Sequence, residues 1–205
     1  KNDPAIDAII IEQPLPPGFE SFRVWESMPC GKDVDGTSAA NMGRLFLCKN
    51  FSEMEENCVF TPCTAWAAIR LLRAHLFDIA GKKAAMIGRS AAVGRPLAHM
   101  LSCLDATVTL CHSRTKDLPD ILRSSDIIVS ATGQPKWIKG EMLSDECVVL
   151  DVGINTDENG SLCGDVDFES VSHKVSMITP VPGGIGPVTL ACMMENTVKA
   201  AETKK

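Results

Sequence analysis

Between residues 88 and 96 the chain reads GRSAAVGRP, an arginine and a serine set in a turn bounded by two glycines. An apolar run, KAAMIG, leads into it at 83–88, and helical periodicity follows through AAVGRPLAHMLSCL to near Asp105. A strand that stops at Gly88 and a helix that starts near Ala91 would aim free N–H groups and a positive dipole end at one point, a seat for a phosphate. Dinucleotide-binding turns carry Gly-x-Gly-x-x-Gly there. The spacing here, Gly88-x-Ser90-x-x-x-Gly94, is an incomplete match, and a strand–helix turn without a ligand would also fit it.

The next strand bears on which cofactor such a turn would hold. An enzyme that uses NAD places a carboxylate about twenty residues further on, where it hydrogen-bonds the adenosine ribose 2′-hydroxyl. That position, the end of TVTLC (107–111), carries HSRTK instead: Ser113, Arg114 and Lys116, and no acid. A carboxylate would repel a 2′-phosphate, whereas a hydroxyl and two cations hold one. Arg89 can reach the same phosphate, so the pattern predicts NADP; solvated surface cations are the plainer alternative. Two more loops follow strands: ATGQPKWI (131–138), opening with Ala131, Thr132 and Gly133, and DVGIN (151–155), with Gly153 and Ile154. Small-residue loops at the C-terminal edge of a parallel sheet are where a cofactor passes.

The elements that must position these loops are short and alternate. Strand candidates at 83–88, 107–111, 126–131, 147–153 and 175–181 are separated by helical stretches, including one over KDLPDILRSS, which predicts a parallel sheet covered on both faces. Before them, TAWAAIRLLRAHLFDIAG (64–81) has helical spacing, with Gly81 as its expected C-cap. The final stretch reads as a helix with Leu190, Met193, Met194, Val198 and Ala201 on one side. In the first sixty residues AIDAIIIEQPLP predicts one strand and a loop, and GTSAANMGRLFL a short helix. Two such elements cannot bury a core alone, so this segment is expected to be part of a second domain.

Bulk properties exclude several classes. The 205 residues are 45% hydrophobic and 22% charged with a net charge of −6, and no basic stripe points to nucleic acid. No apolar stretch is long enough to span a membrane, and the first residues lack the order of a signal peptide. The nine cysteines form no Cys-x-x-Cys pair and several sit in apolar runs, so reduced intracellular thiols are expected; a cytoplasmic setting is the expectation, an organelle the alternative. The four histidines show no ligand spacing, and no metal is assigned. The chain opens on a lysine rather than a methionine, from which a processed, trimmed or partial chain is expected.

KDVDG (32–36), PCT (62–64), GRSAAVGRP (88–96) and TPVPGGIGPVT (179–189) together resemble the signature segments of the bifunctional methylenetetrahydrofolate dehydrogenase/methenyltetrahydrofolate cyclohydrolase family, and HSRT, ATGQP, DVGIN and GDVDF fit it in order. The resemblance covers essentially the whole chain. It implies an α/β fold in which a Rossmann-like parallel-sheet cofactor domain and part of an N-terminal catalytic domain are joined by two long helices, with the active site in the cleft. The implied boundaries are 1–62 for the folate-binding part, 63–181 for the NADP-binding domain with a connecting helix over 64–80, and 182–205 for a loop and helix returning to the catalytic domain. It also implies a homodimer, tetrahydrofolate derivatives as substrates, and two reactions: hydride transfer from 5,10-methylenetetrahydrofolate to NADP, then hydrolysis of the methenyl product to 10-formyltetrahydrofolate.

Carried over residue by residue, the resemblance places Arg89, Ser90 and Ser113 around the adenosine phosphate of NADP, and Gly88 and Arg114 join them as cofactor-binding candidates. Val93 and Ile154 match cofactor-lining positions, and Ala131, Thr132, Gly133, Gly153 and Thr189 are further cofactor-binding candidates. Asp35 matches the carboxylate that holds the pterin, a role suited to a group that accepts two hydrogen bonds from an aminopyrimidinone edge. Pro14 and the segment Pro182, Gly183, Gly184, Ile185, Gly186 and Pro187 match the folate-site lining. Two departures stand out. The family's catalytic lysine follows a tyrosine, and this chain has no tyrosine and no counterpart of that lysine. IIIEQPLP replaces Val-Gln-Leu-Pro-Leu-Pro, so ungapped alignment puts Glu12 at the assisting glutamine, while a one-residue gap restores Gln13. A carboxylate there would pair with a lysine ammonium and raise its pKa, impairing the hydrolase step more than hydride transfer. The readings left open are the bifunctional enzyme, another two-domain NADP dehydrogenase acting on an amino acid or shikimate, and a trimmed, inactive nucleotide-binding relative.

Overall fold

The computed structural model describes residues 3–13 and 15–203. Three helices, α1 (Ser21–Ser27), α2 (Ala39–Leu47) and α3 (Phe51–Asn57), precede the connecting helix α4 (Cys63–Ala74). The sheet domain then runs β1 (Lys83–Ile87), α5 (Gly94–Cys103), β2 (Thr107–Cys111), α6 (Leu118–Arg123), β3 (Ile127–Ser130) and β4 (Val148–Asp151). A two-stranded ribbon, β5 (Asn155–Thr156) and β6 (Leu162–Cys163), leads to α7 (Phe168–Val171), β7 (Met177–Ile178) and the terminal helix α8 (Ile185–Glu202). Strand order is β2-β1-β3-β4-β7, every pairing parallel, with β5 and β6 antiparallel and apart.

Alternation along the strands sorts the core into two layers. Ala84, Met86, Ile127, Val129, Val148 and Leu150 face α4, α5 and α8. Ala85, Ile87, Ile128 and Val149 face the other way, onto Leu122 of α6 and Val171 of α7. Strand β2 lies at the sheet edge and is largely exposed, with Leu110 at 39%. β7 is shorter than its apolar run suggested: only Met177 and Ile178 pair, because the chain turns through a threonine and two prolines beyond them.

The N-terminal strand expected in AIDAIIIEQPLP is reduced to one parallel bridge between Ile9 and Asp33, closed by Ile9 N–H donating to the Lys32 carbonyl at 2.7 Å. Neighbouring strands that would extend the ladder are absent among the described residues. α1 and α3, each seven residues, were not foreseen; both are too short to show an apolar period.

Two helical expectations are corrected. The stretch 64–80 is not one helix: α4 ends at Ala74, and Leu76 takes the left-handed conformation at φ 53°. Leu76 N–H donates to Arg73 O at 3.0 Å and Phe77 N–H to Leu72 O at 3.1 Å, the paired bonds of a Schellman cap. Stopping there frees Ile79 to bury at 5% exposure and feeds the chain into β1, while Gly81 turns at φ 74° rather than capping a helix. In α8 the buried side carries Ile185, Cys192 and Ala200; Leu190, Met194 and Val198 of the expected stripe are 59%, 63% and 58% exposed.

Leu76 is 92% exposed, so its side chain contributes no packing while its backbone pays a left-handed penalty. Leu76→Gly is expected to raise stability by about 0.5–1 kcal/mol, the penalty relieved less the extra freedom glycine has when unfolded. Denaturant unfolding checks this; a lowered midpoint would contradict the assignment of the cap.

Candidate functional site

The loops singled out above leave one edge of the sheet. β1 is flanked by β2 on one side and β3 on the other, so the chain reverses direction across the sheet between β1 and β3. Such a switch point opens a crevice beyond the strand ends. The turn after β1 is tight enough to require its glycines. A Cβ on Gly88, at φ 114°, would lie 2.3 Å from the Ala131 carbonyl oxygen, and one on Gly94 would lie 2.2 Å from the Gly88 carbonyl oxygen. α5 begins at Gly94, three residues later than expected, because Ser90 caps the turn: its hydroxyl accepts from Val93 N–H at 3.3 Å and Gly94 N–H at 3.2 Å. Two amides expected to be free for a phosphate are thus taken, and the Ser90 O–H remains to donate.

Strand register brings the cations to that edge. Ile87 pairs with Cys111, so Arg89 and Ser113 each emerge two residues past a matched position on adjacent strands. Arg89, Ser113, Arg114 and Lys116 are exposed, and none of the three cations has an ion-pair partner among the described residues. The HSRT turn is shaped by its own groups, with Thr115 Oγ1 accepting from His112 N–H at 2.8 Å and His112 Nδ1 from Arg114 N–H at 3.1 Å. A hydroxyl beside unpaired cations, with no acid between, is a donor set that fits a phosphomonoester.

The loops after β3 and β4 are built on two buried carboxylates that the sequence reading did not single out. Asp151 accepts from Gly153, Asp165 and Val166 N–H at 3.1, 3.0 and 2.9 Å. Burial pushes its carboxyl up to about 6 against those three donors. Asp165, at 0% exposure, accepts from Thr132 N–H at 2.6 Å and Gln134 N–H at 3.0 Å, and from Ser130, Thr132 and Asn155 side chains. Thr132 therefore turns its hydroxyl inward, where it also accepts from Trp137 Nε1–H at 2.9 Å; what it offers a cofactor is backbone. Ala131 is half-buried, Gly133 is exposed at φ 69°, Gly153 is buried, and Ile154 projects with 71% of its surface exposed. Val93 is half-buried at the start of α5, and Thr189 Oγ1 donates back to Ile185 O at 3.1 Å.

KDVDG and PCT meet. A Cβ on Gly36, at φ 72°, would lie 2.3 Å from the Thr61 carbonyl carbon, and Cys63 N–H donates to Asp35 O at 3.2 Å. The two acids divide by burial. Asp33, at 0% exposure, accepts from Thr37 and Ser38 N–H and from Asn41 Nδ2–H at 3.2, 2.7 and 2.9 Å, and so fixes the start of α2. Asp35 is only partly covered; burial pushes its carboxyl up to about 6, Asp33 and Glu12 add repulsion, and the Cys63 thiol opposes them. Glu12 thus faces Asp35 electrostatically; Glu12 and Gln13 are exposed, and Pro14 lies outside the described residues. In the PGGIG loop Pro182, Gly183, Gly186 and Pro187 are exposed and Gly184 packs on the Pro180 carbonyl, whereas Ile185 is 4% exposed and belongs to the core rather than to an open wall.

Comparison with known proteins identifies the family and the fold. The family model for the tetrahydrofolate dehydrogenase/cyclohydrolase NAD(P)-binding domain matches residues 62–205. Bifunctional protein FolD of Elusimicrobium minutum is 50% identical over 203 residues, 99% of this chain and 70% of that protein. Its counterpart in Methanosphaerula palustris is 51% identical over 201 residues, 98% and 69% of the respective lengths. Among solved structures, the bifunctional FolD methylenetetrahydrofolate dehydrogenase/cyclohydrolase of Campylobacter jejuni superposes with a TM-score of 0.92 at 43% identity, covering 100% of this chain and 70% of that one. The Trypanosoma brucei enzyme, solved with NADP and an inhibitor, gives 0.89 at 37% identity, covering 98% and 69%.

Asp35 yields a stability test whose sign follows from its raised pKa. An acid whose folded-state pKa lies above its unfolded value favours folding when protonated, and that contribution is lost as pH rises through about 6. Asp35→Asn is expected to stabilise the chain by about 1 kcal/mol above pH 6, less than the full shift implies for a partly screened group, and to change little near pH 4. Unfolding curves at the two pH values check this.

Proposed function

The chain belongs to the tetrahydrofolate dehydrogenase/cyclohydrolase family, as an NADP-dependent methylenetetrahydrofolate dehydrogenase/methenyltetrahydrofolate cyclohydrolase of one-carbon metabolism, and we propose how its own residues divide that work. The observation that carries the assignment is the set of unpaired cations, Arg89, Arg114 and Lys116, with Ser113, where an NAD enzyme would carry an acid. These groups hold the 2′-phosphate, with Ser90 donating its remaining O–H nearby. The backbones of Ala131, Thr132, Gly133 and Gly153 and the exposed face of Ile154 line the rest of the cofactor path. Bound NADP supplies the hydride acceptor.

Asp35 holds the pterin by accepting two hydrogen bonds from its aminopyrimidinone edge. Pro182, Gly183, Gly186 and Pro187, exposed around the start of α8, line the folate site with Asp35. Alignment of the two ligands is the main contribution such residues make to hydride transfer. Glu12, whose charge adds to the raised pKa of Asp35, and Gln13 are assigned to the water-addition step, in which protons must be moved around the attacking water. The family's lysine has no counterpart among these 205 residues, which span about 70% of the relatives' length. The proposed division is residues 1–62 on the folate side, 63–181 for NADP and 182–205 returning to the folate side. A homodimer and a cytoplasmic setting are supported by the family resemblance and the bacterial and archaeal relatives; among the described residues no helix is long and apolar enough to cross a membrane.

The direct test is reduction of NADP in the presence of 5,10-methylenetetrahydrofolate. Arg89→Ala is expected to weaken NADP by about ten- to a hundredfold, the worth of charge-assisted hydrogen bonds, while changing NAD by less than about threefold. Equal loss for both cofactors would remove Arg89 from the phosphate site. Because pterin binding needs Asp35 ionised, the KM for the folate is expected to rise as pH falls through about 6. A flat KM across that range would contradict the carboxylate's role.

A further inference from the structure

Asp165 stands outside the loops assigned to the cofactor, yet its carboxylate joins two of them. On one side Oδ2 takes Thr132 N–H at 2.6 Å, Thr132 Oγ1–H at 2.9 Å and Ser130 Oγ–H at 2.8 Å, all at the end of β3. On the other, Oδ1 takes Gln134 N–H and, from beyond β4, Asn155 Nδ2–H, each at 3.0 Å. The β4 loop folds directly over this group: a Cβ on Gly153 would sit 2.2 Å from Asp165 Oδ1. No cation among the described residues pairs with Asp165, so its charge is held by these donors alone. An ionised carboxylate buried without a cation holds its donors firmly, since releasing one leaves charge unsatisfied in a dry site.

We propose that Asp165 is a positioning residue for the nicotinamide half of NADP, a strut that fixes the loop after β3 against the loop after β4. The inference rests on the cofactor assignment above. The cations for the 2′-phosphate lie at the ends of β1 and β2, on one side of the switch point. A dinucleotide that crosses that crevice must lay its other half over the ends of β3 and β4, the two segments that Asp165 ties together. The adenosine half touches neither.

The two halves can be tested separately on the full 205-residue chain by titration calorimetry with NADP and with 2′,5′-ADP, which has the adenosine and 2′-phosphate but no nicotinamide. Asp165→Asn keeps the shape but turns one acceptor into an amide that faces donors. It is expected to weaken NADP by about tenfold or more and to leave 2′,5′-ADP within about twofold. Asn155→Ala cuts only the β4-side bond and is expected to show the same split at about threefold. Equal loss of both ligands, as from a general structural defect, or no loss of NADP, would overturn the strut. If Asp165→Asn does not fold, Asn155→Ala decides by the same criterion. A wild-type chain that binds neither ligand would overturn the cofactor assignment, and the strut with it.

Discussion

The loops of this molecule depend on burying negative charge without a positive partner. Asp33, Asp151 and Asp165 are 0%, 3% and 0% exposed, and no lysine, arginine or histidine among the described residues forms an ion pair with any of them. Such a charge is tolerable only when N–H and O–H donors close around it. The donors are mostly backbone amides of loops, so each carboxylate fixes the course of a loop that would otherwise have many. Close approach then dictates composition. A Cβ on Gly164 would fall 1.8 Å from Asp151 Oδ2, and one on Gly153 would collide with Asp165. DVGIN and GDVDF are two halves of one reciprocal arrangement, in which each aspartate lies against the other segment's glycine.

The same residue type performs opposite tasks two positions apart in the chain. Asp33 is fully surrounded and anchors α2; Asp35, on the same turn, keeps its carboxylate partly open and carries a raised pKa. Rigidity in the first makes availability of the second possible, because Gly36 and Cys63 hold the turn against the start of α4. A carboxylate free to collapse onto nearby amides would have no acceptor left for a ligand.

Much of the sheet was legible in the sequence. β2 falls on TVTLC as read, and β1, β3 and β4 lie inside their apolar runs, because a parallel strand buried on both faces must be apolar throughout. That Ser113, Arg114 and Lys116 follow a strand end was also legible, since polar residues directly after an apolar run need no tertiary information to be noticed. What was not legible depends on partners far along the chain. Nothing local says that Leu76 rather than Gly81 caps α4; that is decided by Ile79 reaching the core. Asp165 reads as one more loop acid until Ser130 and Thr132, more than thirty residues earlier, are known to face it.

α8 shows why amphipathic pattern misled there and what the helix does instead. Its inward face carries Cys192, Asn196 and Ala200, small or polar, against an α4 whose buried side is itself rich in alanine. Small residues let the two helices approach closely, and larger side chains such as Met194 are turned outward. Asn196 Nδ2–H donates to Val34 O at 2.8 Å and to Cys63 Sγ at 3.4 Å, gripping both motifs beside Asp35. The same helix starts at Ile185, directly after the glycine loop at the end of the sheet. Eleven residues at about 1.5 Å each make about 17 Å of rigid rod between that loop and the Asp35 turn. The span between the Asp35 turn and the glycine loop at the end of the sheet is thus set by a helix length, an element with no flexible joint between them.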